Sequence, residues 1–192
     1  AWDRFADGDD MTVIIEEKLD FECELSVIVG RSADGDKVAY EPAFNIHKNH
    51  ILYTSEVPGP FTPMVAESAK AIGLDLAEAF ELVGVLCLEL FLLPSGELRA
   101  NEIAPRPHNS GHWTLDAAYT DQFEQLVRVA CGLPLGNPRR FIDARMQNII
   151  GDDITKVPKY LKMPNVKLHL YGKRDARPGR KMGHMTFLGP TR

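Results

Sequence analysis

The stretch that most constrains the fold of this chain is a predicted β-hairpin over residues 85–103. Its first arm is almost wholly apolar and contains one charged residue, Glu89. The segment Pro94-Ser95-Gly96 supplies typical turn residues. If the loop is Ser95-Gly96, then Glu102 of the second arm lies directly opposite Glu89, with Cβ atoms roughly 4.5–5.5 Å apart.

Two opposed glutamates in an apolar hairpin need a physical explanation. Like charges that face each other destabilise a sheet, and a carboxylate in an apolar strand loses hydration. A divalent cation removes both penalties, and Mg²⁺ is commonly held by one or two carboxylates together with substrate phosphates. The hairpin therefore predicts half of a metal–nucleotide site, with Glu89 and Glu102 binding Mg²⁺ or Mn²⁺. The alternative is an edge hairpin with two solvated glutamates.

The composition bounds the class of protein. The chain has 192 residues, of which 44% are hydrophobic and 26% charged, as expected for a globular protein with a sizeable core. Its net charge of −5 argues against a general nucleic-acid binder. The three cysteines show no metal-site or disulfide spacing, and no apolar run is long enough to span a membrane. These features lead us to expect a cytoplasmic protein.

Periodicity and turn residues outline the remaining elements. Thr62 followed by Pro63 is typical of a helix start, and apolar residues then recur at helical spacing toward Gly84. Residues 12–16 are rich in β-formers, and residues 152–162 are polar and weakly helical in pattern. The remaining patterns predict strands at 23–29, 37–41, 51–54, 146–150 and 166–171, and a helix over about 120–131.

Three further groups of polar residues suggest chemistry. Arginine, histidine and asparagine side chains in a proline-containing loop can hold bicarbonate, a carboxylate or a phosphate, although such side chains also cap neighbouring backbone groups. A basic tail beside a glycine can present cations to one anion, or be a solvated face or a nucleic-acid patch. Carboxylates and a histidine on the first strands can line a purine pocket, or lie on the surface. The loop residues are Arg106, His108, Asn109 and His112. The tail residues are Lys173, Arg177, Arg180, Lys181 and His184. The residues on the first strands are Glu16, Glu24 and His47.

Several segments resemble one family closely. The longest is Asn101-Glu-Ile-Ala-Pro-Arg-Pro-His-Asn-Ser-Gly-His-Trp-Thr114, and another is Arg177-Pro-Gly-Arg-Lys-Met-Gly-His184. Shorter ones are Glu24-Leu-Ser-Val, Val83-Gly-Val, Gln122-Phe-Glu and Leu133-Pro-Leu. Together they resemble the 5-(carboxyamino)imidazole ribonucleotide synthases, a branch of the ATP-grasp enzymes.

This resemblance implies a fold and an activity. The implied fold is α+β: an ATP-grasp fold with a mainly antiparallel sheet, flanking helices and a small β-rich C-terminal domain, homodimeric in this family. The implied reaction uses ATP and bicarbonate to carboxylate 5-aminoimidazole ribonucleotide in purine synthesis, releasing ADP and phosphate. The alternatives are a sister ATP-grasp ligase that uses formate or biotin, and a non-catalytic module that keeps the fold.

The resemblance also implies a role for each matching residue. Strand alternation predicts that Asn101 faces away from Glu102, although the resemblance assigns both residues to the nucleotide pocket. The implied roles are adenine binding by Glu16, Glu17, Lys18 and Leu19; ribose binding by Glu24; lining of the nucleotide pocket by His47, Asn101 and Glu102; magnesium binding by Glu89 and Glu102; bicarbonate binding by Arg106, His108 and Asn109; and ribonucleotide binding by Lys173, Arg180 and Lys181.

Family members are longer at both ends, with an N-terminal domain and a glycine-rich lid over the ATP phosphates. The resemblance therefore divides the chain into the end of a lid (1–15), a nucleotide- and metal-binding core (16–141) and an incomplete C-terminal domain (142–192). We expect an excised piece that does not turn over ATP by itself.

Overall fold

A computed structural model of the chain describes residues 14–190. Within that range, nine strands form one antiparallel sheet in the order β6-β5-β1-β3-β4-β7-β9-β8, and β2 pairs with β1 beside this path. The strands are β1 (Cys23–Arg31), β2 (Lys37–Ala39), β3 (Ala43–Lys48), β4 (Ile51–Val57), β5 (Gly84–Leu92), β6 (Leu98–Ala104), β7 (Ala144–Ile150), β8 (Val166–Leu170) and β9 (Lys181–Leu188). The helices are α1 (Pro63–Ala79), α2 (Thr114–Ala117), α3 (Gln122–Ala130) and α4 (Val157–Tyr160), with 3₁₀ turns at Asn109–Gly111 and Gly151–Lys156.

Helix α1 covers one face of β1 and β5. Its N-cap is Thr62, whose hydroxyl accepts a hydrogen bond from the backbone N–H of Val65, as the Thr-Pro signal predicted. Alternate apolar residues of β1 and β5 pack against the helix, because side chains two apart share a sheet face. Gly73 permits this close approach, since a Cβ there would lie 2.8 Å from Cγ2 of Val29.

The opposite face of the same strands packs against α3 and the loop of residues 105–113, called the 105–113 loop below. Trp113 and Tyr40 are fully buried there and meet edge to face, with ring centroids 6.5 Å apart. This face contains the other set of alternating residues, which includes Ser26 of β1 and Glu89 of β5. The polar residues of the hairpin therefore lie under the 105–113 loop.

The C-terminal strands extend the same sheet. Strand β7 pairs with β4, and β9 lies between β7 and β8. A separate apolar cluster packs beneath them with α4. One sheet therefore spans the boundary predicted between residues 141 and 142, because β4 before it pairs with β7 after it. The predicted domain boundaries stay a prediction.

The structure corrects several predicted elements. Residues 14–16 are exposed and lie outside any strand, whereas residues 12–13 are not among those described. Strand β3 was not predicted, and it joins β4 through Asn49 and His50, both with positive φ, in a two-residue turn. Helix α3 starts at Gln122 rather than residue 120, because Asp121 caps it through two backbone N–H groups. Among residues 14–190 we find no helix with the length and hydropathy to cross a membrane.

Candidate active site

The hairpin β5–β6 has Glu89 and Glu102 as a direct cross-strand pair, so the predicted pairing of these two residues is confirmed. The route to that pairing differs from the prediction. The loop has three residues, since the N–H of Leu93 donates to the carbonyl of Glu97 at 2.9 Å and Gly96 adopts φ 84°. The register shift between Glu89 and Leu90 leaves Asn101 as an extra residue in β6, which restores the pairing of Glu89 with Glu102. This bulge also interrupts the strict alternation used to orient Asn101.

The carboxylate pair opens onto a cavity of about 560 Å³. Glu89 is partly buried, and its Oε1 lies 3.4 Å from Nε2 of His108. Burial raises the pKa of Glu89; the nearby His47 lowers it, and the Glu102 carboxylate raises it again. Burial lowers the pKa of His108 to about 4, so its imidazole is neutral at pH 7. Two carboxylates and a neutral imidazole therefore face one cavity.

Basic residues from the tail line that same cavity, although they are far from the hairpin in sequence. Lys173 precedes β9, Arg180 ends the turn that leads into it, and Lys181 is its first residue. Burial lowers the pKa of Lys181, and the nearby Glu89 opposes that shift. The chain thus folds back and brings three cations to the cavity of the carboxylate pair.

Of the three residues of the 105–113 loop that were predicted to bind bicarbonate, only one lines the cavity. His108 lines the cavity. Arg106 is exposed, and its guanidinium donates to the carbonyl of Pro107 at 3.0 Å. The amide of Asn109 is engaged by Asn148 of β7, with its Nδ2 donating to Oδ1 of Asn148 at 3.0 Å. The structure therefore brings His108 to the cavity and holds the Asn109 amide against β7.

Sequence reasoning missed the buried polar network under the loop. The Ser26 hydroxyl donates to Oγ of Ser110 at 2.7 Å and accepts from Nδ2 of Asn45 at 2.9 Å. Ser55 donates in turn to Oδ1 of Asn45 at 2.8 Å. Oγ of Ser110 lies 2.9 Å from Nδ1 of His108. Ser26 alternates with apolar residues in β1, which is the signal that could have identified it.

The predicted nucleotide residues line two further cavities next to the first. One, of about 550 Å³, is lined by Glu24 and His47, whose carboxylate and imidazole are in contact. His47 also lines the cavity of the carboxylate pair, so these two cavities adjoin. The other, of about 340 Å³, includes Asn101 and shares Phe21 with the second cavity. The remaining predicted adenine residues, Glu16, Glu17, Lys18 and Leu19, also line this third cavity.

A group of aromatic and histidine side chains lies behind the loop. His184 is 1% exposed and stacks on His169, its cross-strand neighbour, with ring centroids 4.5 Å apart. Nδ1 of His184 lies 2.8 Å from the Tyr171 hydroxyl, and its ring centroid is 4.8 Å from that of His112. Burial lowers the pKa of His184 to about 3 and that of His112 to about 4. His184 of the predicted basic tail is therefore a buried neutral residue.

Comparison with known proteins identifies the family. Residues 1–123 match the model of the ATP-grasp domain, and residues 144–192 match that of the phosphoribosylaminoimidazole carboxylase C-terminal domain. The first match covers more than half of the chain. The chain therefore belongs to the ATP-grasp family.

Within that family the chain is similar to N5-carboxyaminoimidazole ribonucleotide synthases, and the predicted resemblance is confirmed. The protein of that name from Brucella melitensis is 48% identical over 190 residues, which are 99% of this chain and 52% of that protein. The one from Bacillus subtilis is 46% identical over 180 residues, 92% of this chain and 47% of that protein. The chain thus spans about half the length of these relatives.

Solved structures agree with the predicted fold class. An N5-carboxyaminoimidazole ribonucleotide synthetase in complex with ADP matches with a TM-score of 0.88 and 44% identity, over 91% of this chain and 46% of that chain. The synthase from Aspergillus clavatus, in complex with ADP and 5-aminoimidazole ribonucleotide, matches with a TM-score of 0.85 and 32% identity, over 89% of this chain and 47% of that chain. The α+β ATP-grasp fold is therefore confirmed.

Proposed function

We propose that the chain carries the catalytic part of an N5-carboxyaminoimidazole ribonucleotide synthase. The reaction joins bicarbonate to the amine of 5-aminoimidazole ribonucleotide and converts ATP to ADP and phosphate. One observation carries the proposal: an opposed carboxylate pair, a neutral histidine and three tail cations line the same cavity. The similarity to synthases of this name supports it.

The three adjoining cavities suggest how ATP lies in the site. We infer that adenine occupies the cavity lined by residues 16–19 and Asn101, and that the ribose lies near Glu24 and His47. The phosphates then reach the carboxylate pair. This order follows from the residues that neighbouring cavities share. One extended nucleotide can pass from the cavity of residues 16–19, through that of Glu24 and His47, to the cavity of the carboxylate pair.

The residues present fit Mg²⁺ at the carboxylate pair. Glu89 and Glu102 offer oxygen ligands, which Mg²⁺ prefers. Burial, and to a smaller extent the Glu102 carboxylate, raises the pKa of Glu89, a shift that a bound cation would oppose. Bound there, Mg²⁺ would neutralise charge that develops on the transferring phosphoryl group. A binding site of this kind needs no nucleophilic side chain.

The acceptor substrates fit the basic side of the cavity. Lys173, Arg180 and Lys181 supply cations for the ribonucleotide phosphate, which is best held by several charge-assisted hydrogen bonds. We assign bicarbonate binding to Arg106, His108 and Asn109. His108 lines the cavity, whereas Arg106 would have to leave the Pro107 carbonyl and Asn109 would have to leave Asn148 to reach it. The task of these residues is to hold the activated carboxylate and the amine together and to exclude water.

Two broader properties extend the proposal. We expect a homodimer, as in the family that the sequence resembles. The free cysteines Cys23, Cys87 and Cys131 are compatible with a reducing cytoplasm. We expect the protein to bind the substrates of purine synthesis in that compartment.

An acceptor panel on the complete natural protein tests the proposed function. With Mg-ATP and bicarbonate present, we expect ADP release with aminoimidazole ribonucleotide as the acceptor and none with biotin, and we expect none when formate replaces bicarbonate. Formate- or biotin-dependent ADP release would instead establish a sister ligase. Mg-ATP binding without turnover of any of these substrates would indicate a non-catalytic module.

A further inference from the structure

A buried glutamine at the start of α3 is bonded to the backbone of His108. Gln122 has no exposed surface. Its Oε1 accepts a hydrogen bond from the N–H of His108 at 2.8 Å, and its Nε2 donates to the carbonyl of the same residue at 2.8 Å. The side-chain amide therefore pairs with His108 at both backbone groups, much as a neighbouring strand would.

The same amide also reaches His112. Nε2 of Gln122 lies 3.0 Å from Nδ1 of His112. An amide nitrogen only donates, so Nδ1 of His112 must accept, and the proton of the neutral imidazole must lie on its other nitrogen. Gln122 thus contacts both ends of the His108–His112 segment.

Backbone contacts close the loop around this side chain. The N–H of Gln122 donates to Oγ1 of Thr114 at 3.1 Å, and the Thr114 hydroxyl donates to the carbonyl of Gly111 at 2.6 Å. A Cβ at Gly111 would lie 2.6 Å from Oε1 of Gln122, so the loop fits tightly against the amide. The shape of the loop and the position of Gln122 therefore depend on each other.

We propose that Gln122 is a positioning residue for the carboxylation reaction, and this rests on the proposed function. It fixes the backbone of His108, which holds the imidazole in the cavity with Nε2 3.4 Å from Oε1 of Glu89. Gln122 itself does not line that cavity. A displacement of a reacting group by about 1 Å can cost on the order of 100-fold in rate, so a residue that only holds the loop has a large effect on turnover.

Gln122→Glu is the sharpest substitution, because it keeps the shape of the side chain. One carboxylate oxygen still accepts from the His108 N–H, but the other replaces the Nε2 donor. That oxygen then faces the carbonyl of His108 and the lone pair on Nδ1 of His112, which repel it. Gln122→Met serves as a second, uncharged variant if the first does not fold.

Gln125 provides a matched control three residues further along α3. It is also fully buried, and its Oε1 accepts from the N–H of Gly136 at 3.0 Å, away from the 105–113 loop. Within residues 14–190 its Nε2 has no hydrogen-bond partner. Gln125→Glu therefore introduces the same buried charge in the same helix without touching the loop.

The experiment measures steady-state kinetics and amide hydrogen exchange on the complete natural protein. For Gln122→Glu we expect kcat for the carboxylated product to fall about 10- to 100-fold, as for partners that orient a ligand, with KM for ATP changed by less than about twofold. ADP released per product should rise, and the His108 amide should exchange faster. Gln125→Glu should leave these four quantities near the wild-type values.

Two results would overturn the proposal: equal kcat in the two glutamate variants, or an unchanged exchange rate at His108 in a folded Gln122 variant. The proposed function is tested separately by the wild type. If the wild type forms no carboxylated product, that function is wrong, and the exchange rate alone then decides whether Gln122 holds the loop.

Discussion

The three cations that line the carboxylate cavity differ in their exposure. Lys173 is exposed and its Nζ donates to the carbonyl of Lys181 at 2.7 Å, whereas Arg180 and Lys181 are partly buried. Arg180 donates to the carbonyl of Asp175 at 3.2 Å and makes no ion pair among the described residues. Its planar guanidinium is thus available for an anion, which makes it the most informative single residue to change.

Arg180→Ala should raise KM for aminoimidazole ribonucleotide about tenfold or more, because a charge-assisted hydrogen bond contributes roughly 1.5–3 kcal/mol. KM for ATP should stay nearly unchanged. Arg177→Ala is the control, since Arg177 is exposed, lies three residues away and does not line the cavity. An unchanged ribonucleotide KM in the Arg180 variant would contradict the phosphate assignment, and a raised KM for ATP would move Arg180 to the nucleotide.

His184 should make stability depend on pH. Burial lowers its pKa, and with the smaller effects of the neighbouring His112 and His169 the value falls to about 3. Between pH 6.5 and 3 the unfolded chain therefore binds a proton that the folded chain does not, so stability is full above this window and is lost as pH falls. The contribution is up to about 1.4 kcal/mol per pH unit.

Urea unfolding at several pH values between 7 and 5 measures this contribution. His184→Gln should reduce the slope of unfolding free energy against pH, whatever its effect at pH 7. His50→Asn changes an exposed histidine in the β3–β4 turn and should keep the wild-type slope. Equal slopes in wild type and His184→Gln would show that His184 titrates normally in the folded protein.

At the scale of elements, the β5–β6 hairpin shows how a correct pairing can follow from two errors. We predicted a two-residue loop, but the loop has three residues. We also predicted an uninterrupted strand, but β6 contains a bulge at Asn101. Each feature shifts the register by one residue, and the shifts cancel at Glu89 and Glu102. The charge pattern identifies the pair, whereas the bulge has no distinct sequence signal.

Strand β9 was not predicted because its basic and glycine residues resemble a solvated turn. Its residues from Met182 to Thr186 are buried, and it pairs with both β7 and β8. Long-range pairing of this kind is absent from local periodicity, which explains the miss. The resemblance of the Arg177–His184 segment to a family motif was the usable signal for function.

Gly183 makes the β8–β9 pairing possible, and Gly183→Ala should disrupt it. A Cβ at Gly183 would overlap the backbone carbonyl of His169, which cannot move without breaking the ladder. We expect a loss of at least about 2 kcal/mol in unfolding free energy, measured by urea denaturation. In Gly30→Ala the nearest atom is Cγ of the Gln125 side chain at 3.1 Å, which can adjust, so that change should stay within about 1 kcal/mol.

An equal loss in both variants would mean that strand glycines act here through backbone flexibility rather than through contact. A Gly183→Ala protein as stable as the wild type would show that β8 and β9 can separate without cost. Either result would contradict the packing argument for β9, which also carries Lys181 of the cavity.

For the whole molecule, the sequence predicted the family, the fold class and the elements with strong local signals. Thr62 and Pro63 mark α1, and alternation marks β1. The sequence could not show that β7, β9 and β8 continue the main sheet, or that Lys173 and Arg180 line the same cavity as Glu89. Those contacts depend on the three-dimensional path of the chain rather than on neighbouring residues.

The buried polar residues were also beyond local reasoning. Gln122 belongs to a helix with an ordinary amphipathic pattern, and nothing in that pattern marks it as fully buried. Its partners come from the 105–113 loop, so its importance follows from the tertiary structure alone. A single sequence identifies the charged residues of such a site more readily than the uncharged ones that hold them.

The most direct test of the central claim compares ADP release by wild type, Glu102→Gln and Glu97→Gln on the complete natural protein, with Mg-ATP, bicarbonate and aminoimidazole ribonucleotide. Glu97 lies in the same hairpin and pairs with Arg99 at 3.0 Å, outside the cavity. If the opposed carboxylates hold Mg²⁺ for phosphoryl transfer, Glu102→Gln should lose about 100-fold or more in kcat, equivalent to about 2.7 kcal/mol of transition-state stabilisation, while Glu97→Gln stays near wild type. Equal activity in the two variants would contradict the claim.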